Sequence, residues 1–207
     1  GENGADYIDG GTGDDDLTSA NTGTATATII GGEGNDTITS AAGADSITGN
    51  LGDDSINSGA GNDTVDAGAG ADTIISTGGE DYLVGGAGAD YISVAATLTV
   101  ADTISGGTGS DTIQVTATTN FDATTENNDG ELTGAAANVS GIDAIILNNG
   151  AAEDSSGNDE ITVDDLFVAS SDNNAVTIDT LNDTDNAVSI TAAVTGATYT
   201  VTIGGTE

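Results

Sequence analysis

The nine residues GGEGNDTIT, at positions 31–39, combine a glycine-rich half with a strand-forming half. Gly31, Gly32 and Gly34 can take the positive-φ conformations that a side chain disfavours, so the first six residues predict a turn. Thr-Ile-Thr then predicts a very short strand with its aliphatic residue on one face. Because three residues bury little surface alone, copies of this unit must stack on one another.

The same pattern recurs along the first half of the chain. Eleven units share its frame, with Asp at the sixth position, an aliphatic residue at the eighth, and Gly at the fourth except where Val100 stands. The units occupy 1–18, 31–93 and 97–114, which leaves expected insertions at 19–30 and 94–96. A fixed internal period predicts coils that stack about 4.8 Å apart around an aliphatic interior.

The chain carries 35 acidic side chains and no Lys, Arg or His, so its formal net charge is −35. Coulomb repulsion would expand the compact state unless cations from solution neutralise it. Nucleic acid and anionic membrane surfaces are excluded as partners, because proteins bind both through Lys and Arg. The composition therefore predicts metal cations as partners and no membrane insertion.

Catalysis is not expected of this chain. Without His, Cys or Lys, it cannot form a His-assisted nucleophile, a thiolate nucleophile, a Schiff base or a His-ligated zinc site. A carboxylate pair, as in glycosidases, is the remaining option. Since most of the acids already have a place in the repeat, we predict that the chain is not an enzyme.

The pattern G-G-x-G-x-D-x-U-x, in which U is aliphatic, resembles the nonapeptide repeat of the RTX (repeats-in-toxin) family, whose parallel β-roll binds Ca²⁺. The resemblance covers residues 1–114, and the composition is most similar to RTX regions of bacterial surface-layer or extracellular filament proteins. It implies an all-β fold, a calcium-binding parallel β-roll of the β-solenoid type. In that family two nonapeptides form one coil, and each ion lies between turns one coil apart.

Carried over onto this sequence, the resemblance implies several Ca²⁺ ions held by aspartates one coil apart. The implied pairs are Asp36–Asp54, Asp45–Asp63, Asp54–Asp72, Asp63–Asp81 and Asp72–Asp90. The units that border the insertions or the ends of the repeat region add Asp6, Asp15, Asp102 and Asp111. Oxygen ligands of this kind suit Ca²⁺. Main-chain carbonyls would complete the shells, from Gly32, Gly34, Gly43, Gly52, Gly61, Gly70, Gly79 and Gly88.

The nonapeptide stops at about residue 115, and residues 115–207 form a second, β-rich segment. Alternating stretches bounded by Asn, Asp or Gly predict strands at 142–147, 160–163, 175–181, 187–192 and 198–203, with a surface loop at 121–134. An irregular β-solenoid and a small β-sandwich are both compatible with this pattern. The ending TVTIGGTE, followed by another copy of GENGADYID, would continue the repeat, so we expect one module of a tandem array.

Together these features predict a calcium-binding structural module of a secreted bacterial protein, located outside the cell or at its surface. Ca²⁺ is expected to drive folding, because the carboxylates of the metal-free chain repel one another. The first expectation is a self-assembling surface layer or filament, in which Ca²⁺ bridges acidic copies of the chain. The alternatives are a spacer in a large adhesin, or the secretion appendage of an enzyme or toxin exported by type I secretion.

Overall fold

The computed structural model describes residues 4–20, 23–95, 101–117 and 139–149, and the strands at 160–163, 175–181, 189–192 and 198–204. Residues 115–117, residues 145–149 and the last four strands are described by their backbone alone. Every regular element among these residues is a β-strand, and no helix occurs among them. All strand pairs are parallel, so the predicted all-β parallel solenoid is confirmed for the repeat region.

Successive strands alternate between two sheets, so each coil contributes one strand to each sheet. Paired residues lie one coil apart, as Ile56 and Ile74 do, or slightly further where the coil is longer, as for Leu17 and Ile38. The smaller sheet contains, in spatial order, β1 (Asp6–Thr12), β3 (Ala27–Glu33), β5 (Ser46–Leu51), β7 (Thr64–Ala69), β9 (Tyr82–Ala87), β11 (Thr103–Thr108) and β13 (Val139–Ser140).

The larger sheet faces the smaller one across the interior of the roll and continues beyond it. Two further strands, β15 (Glu160–Val163) and β17 (Ser189–Ala192), form a separate parallel pair. The larger sheet contains β2 (Asp16–Thr18), β4 (Thr37–Thr39), β6 (Ser55–Ala60), β8 (Thr73–Gly78), β10 (Tyr91–Val94), β12 (Thr112–Ala117), β14 (Ala144–Asn149), β16 (Ala175–Leu181) and β18 (Thr198–Gly204).

The interior of the roll is a column of aliphatic side chains from the eighth position of each unit. Each strand turns this residue inward and its two neighbours outward, as the alternation of a strand requires, and most strands also bury the residue two positions later. Because each member stacks on the equivalent residue of the next coil, no coil buries its apolar surface alone. From Ile29 onward the column is almost fully buried, and its members in the described roll are Ile8, Leu17, Ile29, Ile38, Ile47, Ile56, Val65, Ile74, Leu83, Ile92, Ile104 and Ile113.

The turns between the sheets depend on backbone that only small residues allow. Gly34 and Gly52 have φ values of 121° and 125°, which disfavour any side chain. A Cβ on Gly52 would also collide with the carbonyl oxygen of Gly34, one coil earlier. Main-chain hydrogen bonds join the stacked turns, for example from the Gly34 N–H to the Leu51 carbonyl at 2.9 Å.

The structure changes the first of the two expected insertions, that at 19–30. Ala27 to Ile30 lie in β3, and Ile29 pairs with Ile8 and Ile47, so this segment is a coil of the roll. Strand pairing needs an inward aliphatic residue at this place, but it does not need the aspartate that Ala27 replaces. Val94 closes β10 and pairs with Ser76. The insertion expected at 94–96 agrees with the register, because Leu83 and Ile104 pair across 21 residues, whereas Ile56 and Ile74 pair across 18.

Beyond residue 115, strands occur in the regions where alternation predicts them. In parallel register, β14 pairs with β12, β16 with β14, and β18 with β16. The predicted loop at 121–134 and most of the connections between these strands lie outside the described residues. The choice between an irregular solenoid and a sandwich for this segment therefore stays a prediction.

Candidate metal sites in two rows of turns

Each nonapeptide unit has its sixth-position aspartate at the end of a turn, beside the first residue of the strand that follows, or within it in the case of Asp6. Although these residues are charged, those from Asp36 to Asp111 are only 1–4% exposed. Asp15, in the first described coil, is partly buried. Carboxylates are rarely buried to this extent unless they are paired or bind a metal, because ionised groups lose much hydration free energy on burial.

The aspartates form two rows along opposite edges of the roll, distinguished by the first residue of each turn. The hydroxyl-free row leads into the larger sheet. Its first residues are Gly10, Gly31, Gly49, Ala67, Gly85 and Gly106, and its aspartates are Asp15, Asp36, Asp54, Asp72, Asp90 and Asp111. The serine row leads into the smaller sheet. Its first residues include Ser19, Ser40, Ser58 and Ser76, and its aspartates are Asp6, Asp45, Asp63, Asp81 and Asp102.

Within each row, hydrogen bonds connect successive aspartates from coil to coil. The N–H of Asp36 donates to Oδ1 of Asp54 at 2.8 Å, and the N–H of Asp54 donates to Oδ1 of Asp72 at 2.8 Å. The other three expected pairs, Asp45–Asp63, Asp63–Asp81 and Asp72–Asp90, are joined in the same way at 2.9 Å. The structure therefore brings together both members of every pair that the resemblance implied.

The remaining expected aspartates extend these ladders, with one exception. Asp15 donates to Asp36 and Asp90 to Asp111, each at 2.9 Å, and Asp81 donates to Asp102 at 2.8 Å. Asp6 instead lies opposite Ala27 in the register of the sheet, so the structure offers it no aspartate one coil away.

The second carboxylate oxygen distinguishes these sites from ordinary structural aspartates. Oδ2 of Asp36, Asp54, Asp72 and Asp90 is buried and has no hydrogen-bond partner, and the same is true of Asp63 in the serine row. An unsatisfied buried acceptor costs about 1–3 kcal/mol, and more when it is charged. Each of these oxygens therefore requires a cation or a proton.

The pKa values follow from the same environment. Burial raises the pKa of Asp54, Asp63, Asp72 and Asp90 to about 6. For Asp54, the N–H of Asp36 lowers the pKa, whereas the neighbouring carboxylates of Asp72 and Asp36 raise it. Stacked carboxylates thus disfavour one another's ionisation, and a cation bound between them would reverse that effect.

The turns also supply carbonyl oxygens along the stacking direction. The fourth-position carbonyl of Gly34 faces Gly52, and those of Gly43, Gly52, Gly61 and Gly70 face the next coil likewise. The third-position carbonyls are already hydrogen-bonded, as that of Ala69 is to the N–H of Gly52 at 2.9 Å. Of the expected carbonyl donors, Gly32 lies within β3, and the turns hold Gly34, Gly43, Gly52, Gly61, Gly70, Gly79 and Gly88.

At the first residue of the turns in the hydroxyl-free row, a main-chain carbonyl oxygen of the next coil lies near the unpartnered carboxylate oxygen. A Cβ added to Gly85 would lie 2.5 Å from Oδ2 of Asp90 and 2.6 Å from the carbonyl oxygen of Gly106. Nowhere in the described residues do three or more acidic side chains gather into a metal-binding group. A cation would therefore be held by two carboxylates and main-chain carbonyls, which fits the adaptable oxygen coordination of Ca²⁺ better than the strict octahedron of Mg²⁺.

Two features of the turns escaped the sequence interpretation. Fifth-position side chains form an outer ladder of opposite direction, in which the N–H of Asp53 donates to Asn35 at 2.9 Å and that of Ala71 to Asp53 at 2.7 Å. Asp143 continues the inner ladder, because its Oδ2 accepts the N–H of Asp111 at 3.0 Å. The outer ladder is visible only when every second unit is aligned, and Asp143 follows a shortened turn.

The comparison with known families agrees with this geometry. The family model of the RTX calcium-binding nonapeptide repeat (4 copies) matches residues 1–20, 22–56, 30–65, 57–92 and 100–115, slightly more than half of the chain. No curated protein and no solved structure matches the chain. Within the part of the chain that the structure describes, no helix has the length and apolarity that a membrane span requires.

Proposed function

The chain belongs to the RTX calcium-binding nonapeptide-repeat family, and on that premise we propose that it is a structural subunit of an extracellular surface layer or filament whose folding and assembly both require Ca²⁺. The repeat of this family implies a calcium-binding structural module, and RTX proteins are typically secreted by bacteria. The family is generally structural rather than catalytic.

The observation that supports calcium-driven folding is the set of buried, unpartnered Oδ2 atoms. At neutral pH, closing the roll without metal would bury like charges that no Lys, Arg or His can offset. In the unfolded chain the same carboxylates are hydrated and far apart. Ca²⁺ therefore stabilises the folded chain selectively, since its ligands converge only there.

Support for assembly comes from the outer surface of the roll. Acidic side chains outside the two rows are exposed, namely Asp9, Asp14, Asp16, Glu33, Asp53, Asp66 and Glu80. Because all copies carry the same negative surface, association requires a cation to offset their repulsion. Ca²⁺ at millimolar extracellular concentration would serve both the buried turns and these surface contacts.

The proposal is tested by titrating the chain with Ca²⁺ from a chelator-treated start, with far-UV circular dichroism reporting folding and sedimentation velocity reporting association. The expected result is a cooperative gain of β-structure, followed at higher Ca²⁺ concentration by species larger than the monomer. Mg²⁺ at the same ionic strength should produce neither change. Folding of the metal-free chain at pH 7 would contradict the calcium requirement.

A matched pair of variants distinguishes the loss of a buried calcium ligand from the loss of one negative charge. Asp54→Asn and Asp66→Asn each remove one acid, but Asp54 is buried in a turn row and Asp66 is exposed on β7. Only Asp54→Asn should raise the Ca²⁺ concentration needed for folding. Folding without association at any Ca²⁺ concentration would contradict the surface layer or filament, and would favour a spacer or a secretion appendage.

A further inference from the structure

We propose that the two rows of turns bind Ca²⁺ with different strengths, and that the hydroxyl-free row fills first because serine hydroxyls already satisfy carboxylates of the serine row. The inference rests on the proposed function of the roll as a calcium-binding module. It assigns Ser40 and Ser76 a role as positioning residues that set calcium affinity.

The two rows differ at one defined atom. In the serine row, the Ser40 hydroxyl donates to Oδ2 of Asp45, and the Ser76 hydroxyl donates to Oδ2 of Asp81. Ser76 is fully buried and Ser40 is 4% exposed, so water does not compete for either bond. In the hydroxyl-free row, the equivalent oxygen of Asp54 has no partner, and the same holds for Asp36, Asp72 and Asp90.

The difference begins five residues upstream of each aspartate. The first residue of each turn packs against Oδ2 of the aspartate that ends the same turn, as the positions of Gly31 and Gly49 beside Asp36 and Asp54 show. Glycine or alanine offers no donor at this place, whereas serine offers a hydroxyl. A hydroxyl at this position can therefore satisfy the carboxylate before any metal arrives, whereas a hydrogen atom or a methyl group cannot.

Calcium binding has different consequences in the two rows. In the hydroxyl-free row, Ca²⁺ would bind a carboxylate oxygen without breaking any hydrogen bond. In the serine row, Ca²⁺ competes with the hydroxyl hydrogen for the electron density of Oδ2 in a buried turn, so a hydrogen bond to a carboxylate is weakened or lost. The free energy of that bond is subtracted from the free energy of calcium binding.

Ser58 provides a contrast within the serine row. It lies close enough to Asp63 for its hydroxyl to lower the pKa of that carboxyl, but Ser58 Oγ and Asp63 Oδ2 do not meet in a hydrogen bond of normal geometry. Ser58 is also fully buried. The Asp63 site should therefore behave like the hydroxyl-free row although a serine precedes it.

Calorimetric Ca²⁺ titration of the intact chain, with circular dichroism on the same samples, tests the inference. The wild-type chain should show two classes of sites. In the double variant Ser40→Ala/Ser76→Ala, the weaker class should tighten by about tenfold, the factor that corresponds to one charged hydrogen bond. The same variant should fold less readily without Ca²⁺, at a pH low enough to populate the metal-free roll.

That opposite response separates a positioning role from a merely structural one, which would weaken both forms. Ser58→Ala is the matched control and should change calcium affinity by less than about twofold. Ala67→Ser makes the reverse change at a residue that already carries a Cβ, and it should weaken the site of Asp72. If Ser40→Ala/Ser76→Ala fails to fold, Ala67→Ser and Ser58→Ala still decide the matter.

One class of sites in the wild-type chain, unaltered by Ala67→Ser or by the double variant, would overturn the inference while leaving calcium-dependent folding intact. Absence of calcium binding in the wild-type chain would instead contradict the proposed function itself. The two failures are therefore distinguishable in one set of titrations.

Discussion

The aliphatic column and the two rows of turns repeat with the same coil, but different partners complete them. Each interior side chain of the column is buried by its neighbours, and Ile74 and Ile92 are fully covered without any other molecule. Turns of the hydroxyl-free row instead leave a carboxylate oxygen, such as Oδ2 of Asp72, buried and without a partner. Hydrophobic stacking thus determines where the coils lie, whereas the turns determine whether they can remain there at neutral pH.

Removing calcium should have the largest effect on this balance. We expect a chelator at pH 7 to abolish the β-signal in circular dichroism, since each site contributes about 2.7 kcal/mol when Ca²⁺ is at a hundred times its Kd. Sodium chloride at about 1 M screens exposed charges but cannot satisfy buried oxygens. Salt should therefore not restore the signal, and full recovery in salt alone would show that repulsion between surface charges, rather than the buried oxygens, unfolds the metal-free chain.

Truncating one side chain of the aliphatic column tests the contribution of hydrophobic stacking. Ile74 is fully buried, whereas its neighbour Ile75 lies on the outer face of β8. At saturating Ca²⁺, Ile74→Ala should lower the free energy of unfolding by about 2–5 kcal/mol. Ile75→Ala should lower it by less than about 1 kcal/mol. Equal losses in urea denaturation would contradict the assigned faces of the strand.

Asp72→Asn alters a turn while keeping its ladder. The amide oxygen can still accept the N–H of Asp54, which donates to Oδ1 of Asp72 at 2.8 Å, but the charge is lost. We expect about 1–3 kcal/mol less stability at saturating Ca²⁺, and greater stability of the metal-free roll. A loss of stability under both conditions, measured by thermal melting, would show that the charge is needed without metal.

The pH dependence should reverse between the two forms. Asp54, Asp63, Asp72 and Asp90 have a pKa of about 6 in the roll against an ordinary value of 3.8. The folded metal-free chain therefore binds more protons than the unfolded chain between these values, so its stability falls as pH rises through about 6. Circular dichroism in chelator should show partial refolding from pH 7 to 4.5.

With Ca²⁺ present, protons and metal compete for the same oxygens. Acidification through pH 6 should then raise the Ca²⁺ concentration required for half-maximal folding. A midpoint that is constant between pH 7 and 5 would exclude these carboxylates as calcium ligands.

The outer ladder should contribute least to the stability of the roll. Asp53 is exposed, and its carboxylate accepts the N–H of Ala71, so Asp53→Ala should lower stability by about 0.5–1.5 kcal/mol. Asp53→Asn keeps an acceptor and should have little effect. Identical urea midpoints for the two variants would mean that the ladder adds nothing measurable.

The roll could be predicted from two features of the nonapeptide. An aliphatic residue at the eighth position requires a stacked interior, and glycines with aspartate at the sixth position define the turn. The coil that contains Ala27 looks like an insertion in the sequence because it lacks the aspartate, although it keeps the inward residue Ile29. Strand pairing depends on the first feature and metal binding on the second, so a coil can keep one without the other.

The serine hydroxyls were not predictable from the nine-residue frame. Aligning single units places Ser40 and Ser76 among glycines of the same position, and the two rows separate only when alternate units are compared. The place of Asp143 in the inner ladder could not be predicted for another reason. The turn before it has three residues, Gly141 to Asp143, between Ser140 in β13 and Ala144 in β14. Local spacing cannot reveal a partner that the strand register alone brings into place.

The direction of the inner ladder gives the roll a polarity along its axis. Every rung runs from the amide of one coil to the acid of the coil that follows, as from Asp72 to Asp90. A stack cut between any two coils would consequently show the carboxylate acceptors of the inner ladder on one face of the cut and its amide donors on the other. The inner ladders of two such stacks can continue into one another only when the stacks meet head to tail. A head-to-head contact would place the carboxylates of one stack against those of the other.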